Sequence, residues 1–113
     1  MEIIEFEITE ATEEDLDAIY DVDKKAFSYP MSRSSIERDL RDRRLSKYFV
    51  ARLLPFNEVV GYIGLWCIFP EAHIVSIAVD PDYQGKGIGN KLLQQALAWL
   101  VNSGFKHVFL EVR

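Results

Sequence analysis

The segment from residue 73 to residue 104 constrains the fold more than any other part of the chain. Residues 73–79 have the pattern of a mostly buried strand, and a short turn and a glycine-rich loop follow them. Apolar side chains then recur at helical spacing over residues 88–103. Gly104 stands where a left-handed residue would end that helix. This strand–loop–helix unit is typical of domains that pack helices on a sheet.

The rest of the chain alternates between strand and helix patterns. Strands are predicted over residues 3–9, 47–54, 59–68, 73–79 and 106–112. One further helix is predicted to begin at Thr12, where Asp15 completes a capping-box pattern, and another at Ser32 or Ser34. The order β-α-α-β-β-β-α-β predicts an α/β (α+β) fold with a mixed sheet. A chain of 113 residues is expected to form one domain, 1–113.

Charge and cysteine content argue against several classes of protein. The net charge is −5, from 18 acidic and 13 basic residues, and phosphate backbones favour basic faces, so nucleic acid is not the expected partner. The first 23 residues contain ten acidic and no basic side chains, which fits a solvated helix face or the attraction of a cationic substrate. Cys67 is the lone cysteine, the acidic N-terminus lacks a signal-peptide pattern, and no apolar run is long enough to span a bilayer. We therefore expect a cytoplasmic protein that does not bind membranes.

The glycine-rich loop has the composition of a phosphate-binding device. Free amides at a helix N-terminus point one way and carry partial positive charge, and glycines let a large anion approach them. The Walker pattern is absent from residues 79–90, and the glycines run G-x-G-x-G instead of the Rossmann G-x-G-x-x-G. The alternative is a tight turn followed by an ordinary helix.

The spacing Gln84-x-x-Gly87-x-Gly89 after Val79-Asp80-Pro81 resembles the acetyl-CoA signature, Q/R-x-x-G-x-G/A, of the GCN5-related N-acetyltransferase (GNAT) family. The strand before it and the helix after it are similar to the central strand and the pyrophosphate-binding helix of the family. The segment Leu110-Glu111-Val112-Arg113 is similar to the next strand in the form typical of members that act on protein N-termini. Residues 27–32 resemble the substrate loop of the ribosomal-protein-alanine type. The resemblance covers nearly the whole chain, and it implies a mostly antiparallel sheet flanked by helices.

The resemblance implies a site for acetyl-CoA as cosubstrate. Main-chain groups of residues 77–79 would pair with the pantetheine arm, and the amides of residues 85–90 would hold the pyrophosphate. The residues assigned to the cofactor in this way are Ile77, Ala78, Val79, Gln84, Gly85, Lys86, Gly87, Ile88, Gly89 and Asn90. An amine would then attack the thioester directly, which fits a sequence without a Cys or Ser nucleophile set beside a His.

Two residues are candidates for the base that neutralises the acceptor amine. In related N-terminal acetyltransferases the Glu of the L-E-V-R strand acts as the base, often through water, which implies this role for Glu111. Some archaeal-type relatives have a His at the position of His73, where it helps to relay the proton. The alternatives are a structural carboxylate at a strand end and a structural or solvated histidine. A free α-amine has a pKa of about 7.7–8.0, so a modest base suffices.

Other positions carry weaker signals. The resemblance assigns Tyr29, Pro30 and Met31 to the peptide entrance, although the same residues would equally serve to join two helices. Cys67 lies in an apolar strand and is predicted to belong to the core. No pair of Cys or His shows metal-ligand spacing, so we expect no metal.

The family usually continues with N-x-x-A-x-x-x-Y-x-x-x-G-F, whose Asn contacts CoA and whose Tyr protonates the leaving thiolate. The sequence has no such segment after Arg113, so we expect a C-terminally incomplete domain that lacks the usual last strands. A final strand at a sheet edge exposes unpaired backbone, and pairing with a second copy is one way to cover it.

The sequence favours acetyl transfer to the α-amine of a protein N-terminus, ribosomal proteins included. One alternative keeps the chemistry and changes the acceptor to a lysine or a small amine. Another is a CoA-binding fragment that is inactive without the missing segment. A plain interaction domain with a coincidental glycine loop would bind no CoA.

Overall fold

The computed structural model describes residues 3–112, which form a five-stranded sheet between two layers of helix. The strands and helices are β1 (Phe6–Glu10), α1 (Leu16–Ala26), α2 (Arg33–Arg41), β2 (Ser46–Leu53), β3 (Glu58–Ile68), β4 (Glu71–Val79), α3 (Ile88–Asn102) and β5 (His107–Leu110). Single 3-10 turns precede α1 and α3, at Glu13–Asp15 and Pro81–Tyr83. The predicted order of strands and helices is confirmed, and the predicted bounds differ by a few residues at most ends.

The sheet has the strand order β1-β2-β3-β4-β5. The pairs β1–β2, β2–β3 and β3–β4 are antiparallel, and the pair β4–β5 is parallel. Parallel neighbours need a crossover connection, and α3 supplies it. The expectation of a mixed, mostly antiparallel sheet flanked by helices is therefore confirmed.

Local signals define the helix ends. The capping box at Thr12 is formed, with the Thr12 amide donating to Asp15 Oδ2 at 3.0 Å. Ser32 is the residue that caps α2, because its side chain accepts from the Ser35 amide at 3.2 Å. After α3, Gly104 adopts a φ of +83°, which a residue with a Cβ rarely adopts.

Apolar side chains form one cluster on each face of the sheet. The cluster under α3 includes Ile63, Leu65, Ile74, Ile88, Leu92, Ala96 and Leu100. The cluster under α1 and α2 includes Leu16, Ile19, Val22, Ile36, Leu40, Val50, Tyr62 and Ala78. Both faces of β3 and β4 are therefore packed at their centres, which fixes these two strands as the scaffold of the site.

β5 begins one residue later than predicted and is shorter, at His107–Leu110. Its ladder does not stop abruptly, since the Glu111 amide still donates to the Ile74 carbonyl at 2.9 Å. Arg113, the last residue of the L-E-V-R segment, lies outside the described residues.

Candidate active site

A β-bulge in β4 lies next to an opening between β4 and β5 in the sheet. β4 pairs with β3 along its whole length, but the register shifts at Val75, between the pairs Gly64↔Ser76 and Leu65↔Ile74. An extra residue in one strand bends that strand and increases its twist. The bulge could not be predicted from the sequence, because the apolar run around Val75 fits a regular strand equally well.

The bulge shifts by one residue the alternation of β4 side chains between the two faces of the sheet. Ala72 and Ile74, before the bulge, pack in the cluster under α3. Ile77 and Val79, after it, pack against that same cluster, although their numbers have the opposite parity. Within the described chain, β4 pairs with β5 only over Glu71–Ile74. The last residues of β4 therefore keep their pairing to β3 while their other edge is open.

Main-chain groups of two predicted cofactor residues face this open edge. The Asp80 amide donates to the Val60 carbonyl of β3 at 2.8 Å. Backbone groups alternate along a strand, so those of Ala78 also face β3, and those of Ile77 and Val79 face away from it. The backbone of Ile77 and the amide of Val79 therefore face the open edge, whereas the Val79 carbonyl accepts from Gln84 Nε2 and the backbone of Ala78 belongs to the β3–β4 ladder.

The glycine loop follows β4 directly and is held by its own side chains. Asp80 caps the turn Pro81–Tyr83, and its Oδ1 accepts from the Asp82 amide at 2.9 Å. Gln84 folds back, with Nε2 donating to the Val79 carbonyl at 3.1 Å. The side chain of Gln84 thus closes the loop onto the end of β4, which fixes where the following amides point.

Three glycines of the loop differ in what they require. Gly85 and Gly87 have φ values of +78° and +85°, and a Cβ built on either would meet nothing within 4 Å. Backbone conformation, not crowding within the chain, therefore demands glycine there, and the space above the loop is open. Gly89 is helical, and a Cβ there would lie 3.7 Å from Val79 Cγ2, an ordinary contact.

The N-terminus of α3 presents unpaired donors to that open space. Gly87 is the N-cap and supplies no side-chain hydrogen bond, and the first helical bond runs from the Lys91 amide to the Gly87 carbonyl at 3.1 Å. The amides of residues 88–90 come before that bond and have no partner within the helix. The first turn of α3 has no acidic residue, and Lys86 is exposed beside it. Helix dipole, amides and Lys86 together favour an anion here.

A glycine on β3 brings α3 close to the sheet. A Cβ at Gly61 would lie 3.1 Å from the Ala78 carbonyl oxygen and 3.2 Å from Leu92 Cδ1. Both distances are shorter than a comfortable contact, so a larger residue would push the helix away. Gly61 therefore helps to set the distance between the N-terminal turn of α3 and the end of β4.

An ion pair joins the loop to the opposite layer. Lys25, in the last turn of α1, places Nζ 3.3 Å from Asp80 Oδ2. The hydrogen bond and charge of Asp80 raise the pKa of Lys25 above its usual value. The pair balances the carboxylate at the start of the loop and links α1 to it.

The two predicted catalytic residues meet at the base of the opening. Glu111 follows directly after the last residue of β5, and its Oε1 lies 3.0 Å from His73 Nδ1 on β4. The His73 ring stacks on Phe109, with centroids 5.2 Å apart. In this pair the His73 side chain is 24% exposed and the Glu111 side chain 54% exposed, so solvent and solutes can reach the carboxylate.

The pair faces the α1/α2 side of the sheet. His73 lies opposite Trp66 of β3, and Trp66 Nε1 donates to Asp39 Oδ2 of α2 at 3.1 Å. Residues directly opposite each other in neighbouring strands share a face. Glu111 therefore points to the same side of the sheet as the loop between α1 and α2. The sequence alone does not predict this direction.

The predicted substrate loop lies on that same side. Tyr29 and Pro30 are exposed, whereas Met31 is partly buried against the cluster that contains Tyr62 and Ala78. Ser32 follows as the cap of α2. The loop joins α1 and α2, and Met31 at its partly buried end packs against the cluster that includes Ala78 of β4.

Sequence reasoning missed a buried polar group beneath this loop. Asp23 of α1 is fully buried, and its Oδ1 accepts from Tyr62 Oη at 2.5 Å while Oδ2 accepts from the Met31 amide at 2.7 Å. Tyr62 Oη also lies 2.7 Å from Ser76 Oγ. One signal was available: Asp23 stands seven residues after Leu16, on the apolar stripe of α1.

Other predictions fall outside this site or have simple outcomes. Cys67 is buried in the cluster under α3, as predicted, and burial raises the pKa of its thiol. Residues 3–112 contain no group of three or more His, Cys, Asp or Glu side chains arranged to hold a metal ion. Over the same range, no helix combines the length and the apolar character needed to cross a membrane.

A family model and solved structures identify what this arrangement belongs to. The model of the acetyltransferase (GNAT) family matches residues 12–113, so the chain belongs to that family. The crystal structure of the ribosomal-protein-S18-alanine N-acetyltransferase from Escherichia coli superposes with a TM-score of 0.84 at 25% identity, covering 94% of this chain and 66% of that one. The PaiA N-acetyltransferase from Thermoplasma acidophilum, solved with coenzyme A, has a TM-score of 0.77 at 20% identity and covers 89% of this chain and 75% of that one. The second likeness concerns the fold alone.

Curated relatives carry the same kind of name. The [ribosomal protein bS18]-alanine N-acetyltransferase of Escherichia coli K12 is 30% identical over 99 residues, which is 88% of this chain and 64% of that protein. The enzyme of that name from Haemophilus influenzae is 28% identical over 99 residues, 88% of this chain and 65% of that protein. The chain thus spans slightly less than two thirds of the length of these relatives.

Proposed function

We propose that this protein transfers the acetyl group of acetyl-CoA to the α-amine of a protein N-terminus by direct attack. The observation that carries the proposal is the His73–Glu111 pair, joined at 3.0 Å, at the base of the opening between β4 and β5. The glycine loop that follows β4 supports it with an anion site next to that opening. In the reaction the amine nitrogen bonds to the thioester carbonyl carbon and the carbon–sulfur bond breaks. The amine loses one proton, and the thiolate takes one up, so that CoA leaves as its thiol.

The residues that would hold acetyl-CoA provide mostly main-chain contacts. The amides of residues 85–90 would receive the pyrophosphate, and those of Gly85 and Gly87 are approachable because nothing lies within 4 Å of where a Cβ would stand. Ile77 and Val79 would offer the free edge of β4 to the pantetheine arm as an added strand does. Ile88 contributes only its amide, since its side chain is buried.

The His73–Glu111 pair would remove the proton that the amine must lose. A positioned base of this kind contributes about 10²–10⁴-fold to the rate. The carboxylate is the more exposed partner and would take the proton directly or through water, while His73 orients it and shares the charge. In this assignment Glu111 is the base and His73 its relay.

The acceptor is proposed from the ease of its deprotonation. At pH 7 the neutral fraction of an α-amine exceeds that of a lysine side chain by roughly 300-fold, because their ordinary pKa values are about 7.8 and 10.4. A base that solvent can reach is therefore sufficient to deprotonate an α-amine. Relatives named as acting on the alanine of ribosomal protein bS18 support a protein N-terminus, and we propose a ribosomal protein as one such acceptor.

The test compares two peptides of equal length with acetyl-CoA and follows the product by mass spectrometry. One peptide has a free N-terminal alanine and no lysine, and the other has a blocked N-terminus and one lysine. We expect acetylation of the first peptide and none of the second. Acetylation of the lysine peptide alone would replace the proposed acceptor, and acetyl-CoA binding without transfer to either would reduce the function to CoA binding.

A further inference from the structure

The fully buried carboxylate of Asp23 has no part in the chemistry proposed above, yet it touches the elements that enclose the site. It lies in the last turns of α1, below the loop that leads to α2. Its two oxygens accept from different segments: the Tyr62 hydroxyl of β3 at 2.5 Å and the Met31 amide of the loop at 2.7 Å. Burying a charge is costly unless hydrogen bonds compensate it, so such a residue is retained for what it holds in place.

The hydrogen bonds continue to the strand that borders the opening. Tyr62 Oη lies 2.7 Å from Ser76 Oγ, and Ser76 is the first residue after the bulge in β4. Three hydrogen bonds thus connect the Met31 amide to the segment of β4 whose far edge is open. The ring of Tyr62 also stacks on Tyr48, which keeps the hydroxyl in a fixed position.

We propose that Asp23 is a positioning residue that holds the Tyr29–Met31 loop in register with the open edge of β4, so that the acceptor chain and the acetyl donor meet at a fixed separation. The inference rests on the proposed function and adds a residue that determines acceptor binding. Hydrogen bonds to an ionised acceptor are about twice as strong as neutral ones, so this carboxylate anchors the Met31 amide better than a neutral side chain would.

The expected effect of losing the anchor is a change in acceptor affinity. When only a fraction of the molecules has the loop in its binding conformation, the apparent affinity falls by that fraction. An Asp23→Asn side chain is neutral and replaces one acceptor oxygen by a donor, so the Met31 amide keeps at best a weaker, neutral hydrogen bond and loses it if the amide nitrogen faces Met31. We expect a KM for the free-amine peptide about tenfold higher, with kcat and the acetyl-CoA Kd each within about twofold of wild type.

The experiment measures these three constants for wild type, Asp23→Asn, Tyr62→Phe and Asp21→Asn, together with hydrogen exchange at the Met31 amide. Asp21→Asn is the matched control, because Asp21 is exposed on the same helix and pairs only with Lys24 at 3.3 Å among the described ion pairs. Tyr62→Phe removes the hydroxyl between Asp23 and Ser76 and tests the same chain of bonds if Asp23→Asn does not fold. A double variant that combines Asp23→Asn with Tyr62→Phe should raise KM no more than the stronger single variant, since both substitutions act through one network.

Each outcome separates this proposal from the proposed function. Faster Met31 exchange and a raised acceptor KM in both network variants, with the control unchanged, would establish the positioning role. Unchanged KM in variants that exchange faster or melt earlier would overturn it and leave Asp23 as a structural residue only. If the wild type binds acetyl-CoA but neither binds nor acetylates any peptide, the proposed function fails first, and the acceptor role of Asp23 fails with it.

Discussion

Gly87 and Gly89 stand two residues apart at the start of α3, and alanine should have opposite effects at the two positions. Gly87 has a φ of +85°, where an L-residue costs roughly 1–2 kcal/mol. Part of that cost is offset because alanine also restricts the unfolded chain, by about 0.4–1 kcal/mol. Gly87→Ala should therefore lose about 1 kcal/mol of unfolding free energy.

At Gly89 the backbone is helical, and the new Cβ would make an ordinary contact of 3.7 Å with Val79 Cγ2. Alanine is favoured over glycine in a helix by up to about 1 kcal/mol, and half of that is a fair expectation in a first turn. Gly89→Ala should thus gain about 0.5 kcal/mol. The two variants should differ by about 1.5 kcal/mol, which for a chain of this length is about 6 °C in Tm.

Urea unfolding followed by the fluorescence of Trp66 and Trp99 measures both variants against wild type. The m-values should not change, since the two substitutions do not alter the surface that unfolding exposes. If the free energy of unfolding of Gly87→Ala equalled that of wild type, or exceeded that of Gly89→Ala, the loop would not have the left-handed conformation that opens its amides to an anion.

Three further predictions follow from the geometry. Glu111→Gln should lower kcat by about 100-fold and leave the affinity for acetyl-CoA unchanged, whereas Glu71→Gln, at the start of β4, should have the kcat of wild type. Equal losses of kcat in the two variants would exclude Glu111 as the base. Gly61→Ala should lower the free energy of unfolding, measured by chemical denaturation, by about 1–3 kcal/mol, because the new Cβ would lie 3.1 Å from the Ala78 carbonyl oxygen. An unchanged free energy of unfolding would show that α3 packs less closely on β3. Burial raises the pKa of Cys67, so less of its thiolate is present at any given pH. At pH 8, iodoacetamide should therefore react with the native protein at least about tenfold more slowly than with the protein unfolded in urea, and equal rates would contradict the burial of Cys67.

The parts of the fold that depend on local pattern were predictable from the sequence. The apolar spacing from Ile88 onward and Gly104 after it locate α3 to within a residue, and Thr12 with Asp15 marks the start of the first helical segment. These signals are local, because caps and helix periodicity involve residues within a few positions of each other. The ends of strands were predicted less well, since a strand ends where its partner does.

The parts of the site that depend on long-range pairing were not predictable. His73 and Glu111 are 38 positions apart, and their hydrogen bond requires the parallel register of β4 and β5 and a shared face. Nothing in an apolar run marks Val75 as a bulge, because the shift arises only when β4 meets β3. Asp23 is a different case: its place on the apolar stripe of α1 was visible, but a carboxylate in a helix is ordinarily solvated, and only Tyr62 and Met31 explain its burial.

Calorimetric titration with acetyl-CoA tests whether the main chain of residues 85–90 binds the pyrophosphate. Wild type, Gly87→Glu and Gly104→Glu form a matched set, because both glycines have left-handed φ values, +85° and +83°, at opposite ends of α3. A carboxylate at position 87 would repel the phosphates, and we expect Gly87→Glu to weaken binding at least about tenfold. Gly104→Glu should carry a similar backbone cost and bind acetyl-CoA as wild type does. If the wild type does not bind acetyl-CoA, or if both variants weaken binding equally, residues 85–90 do not form the pyrophosphate site.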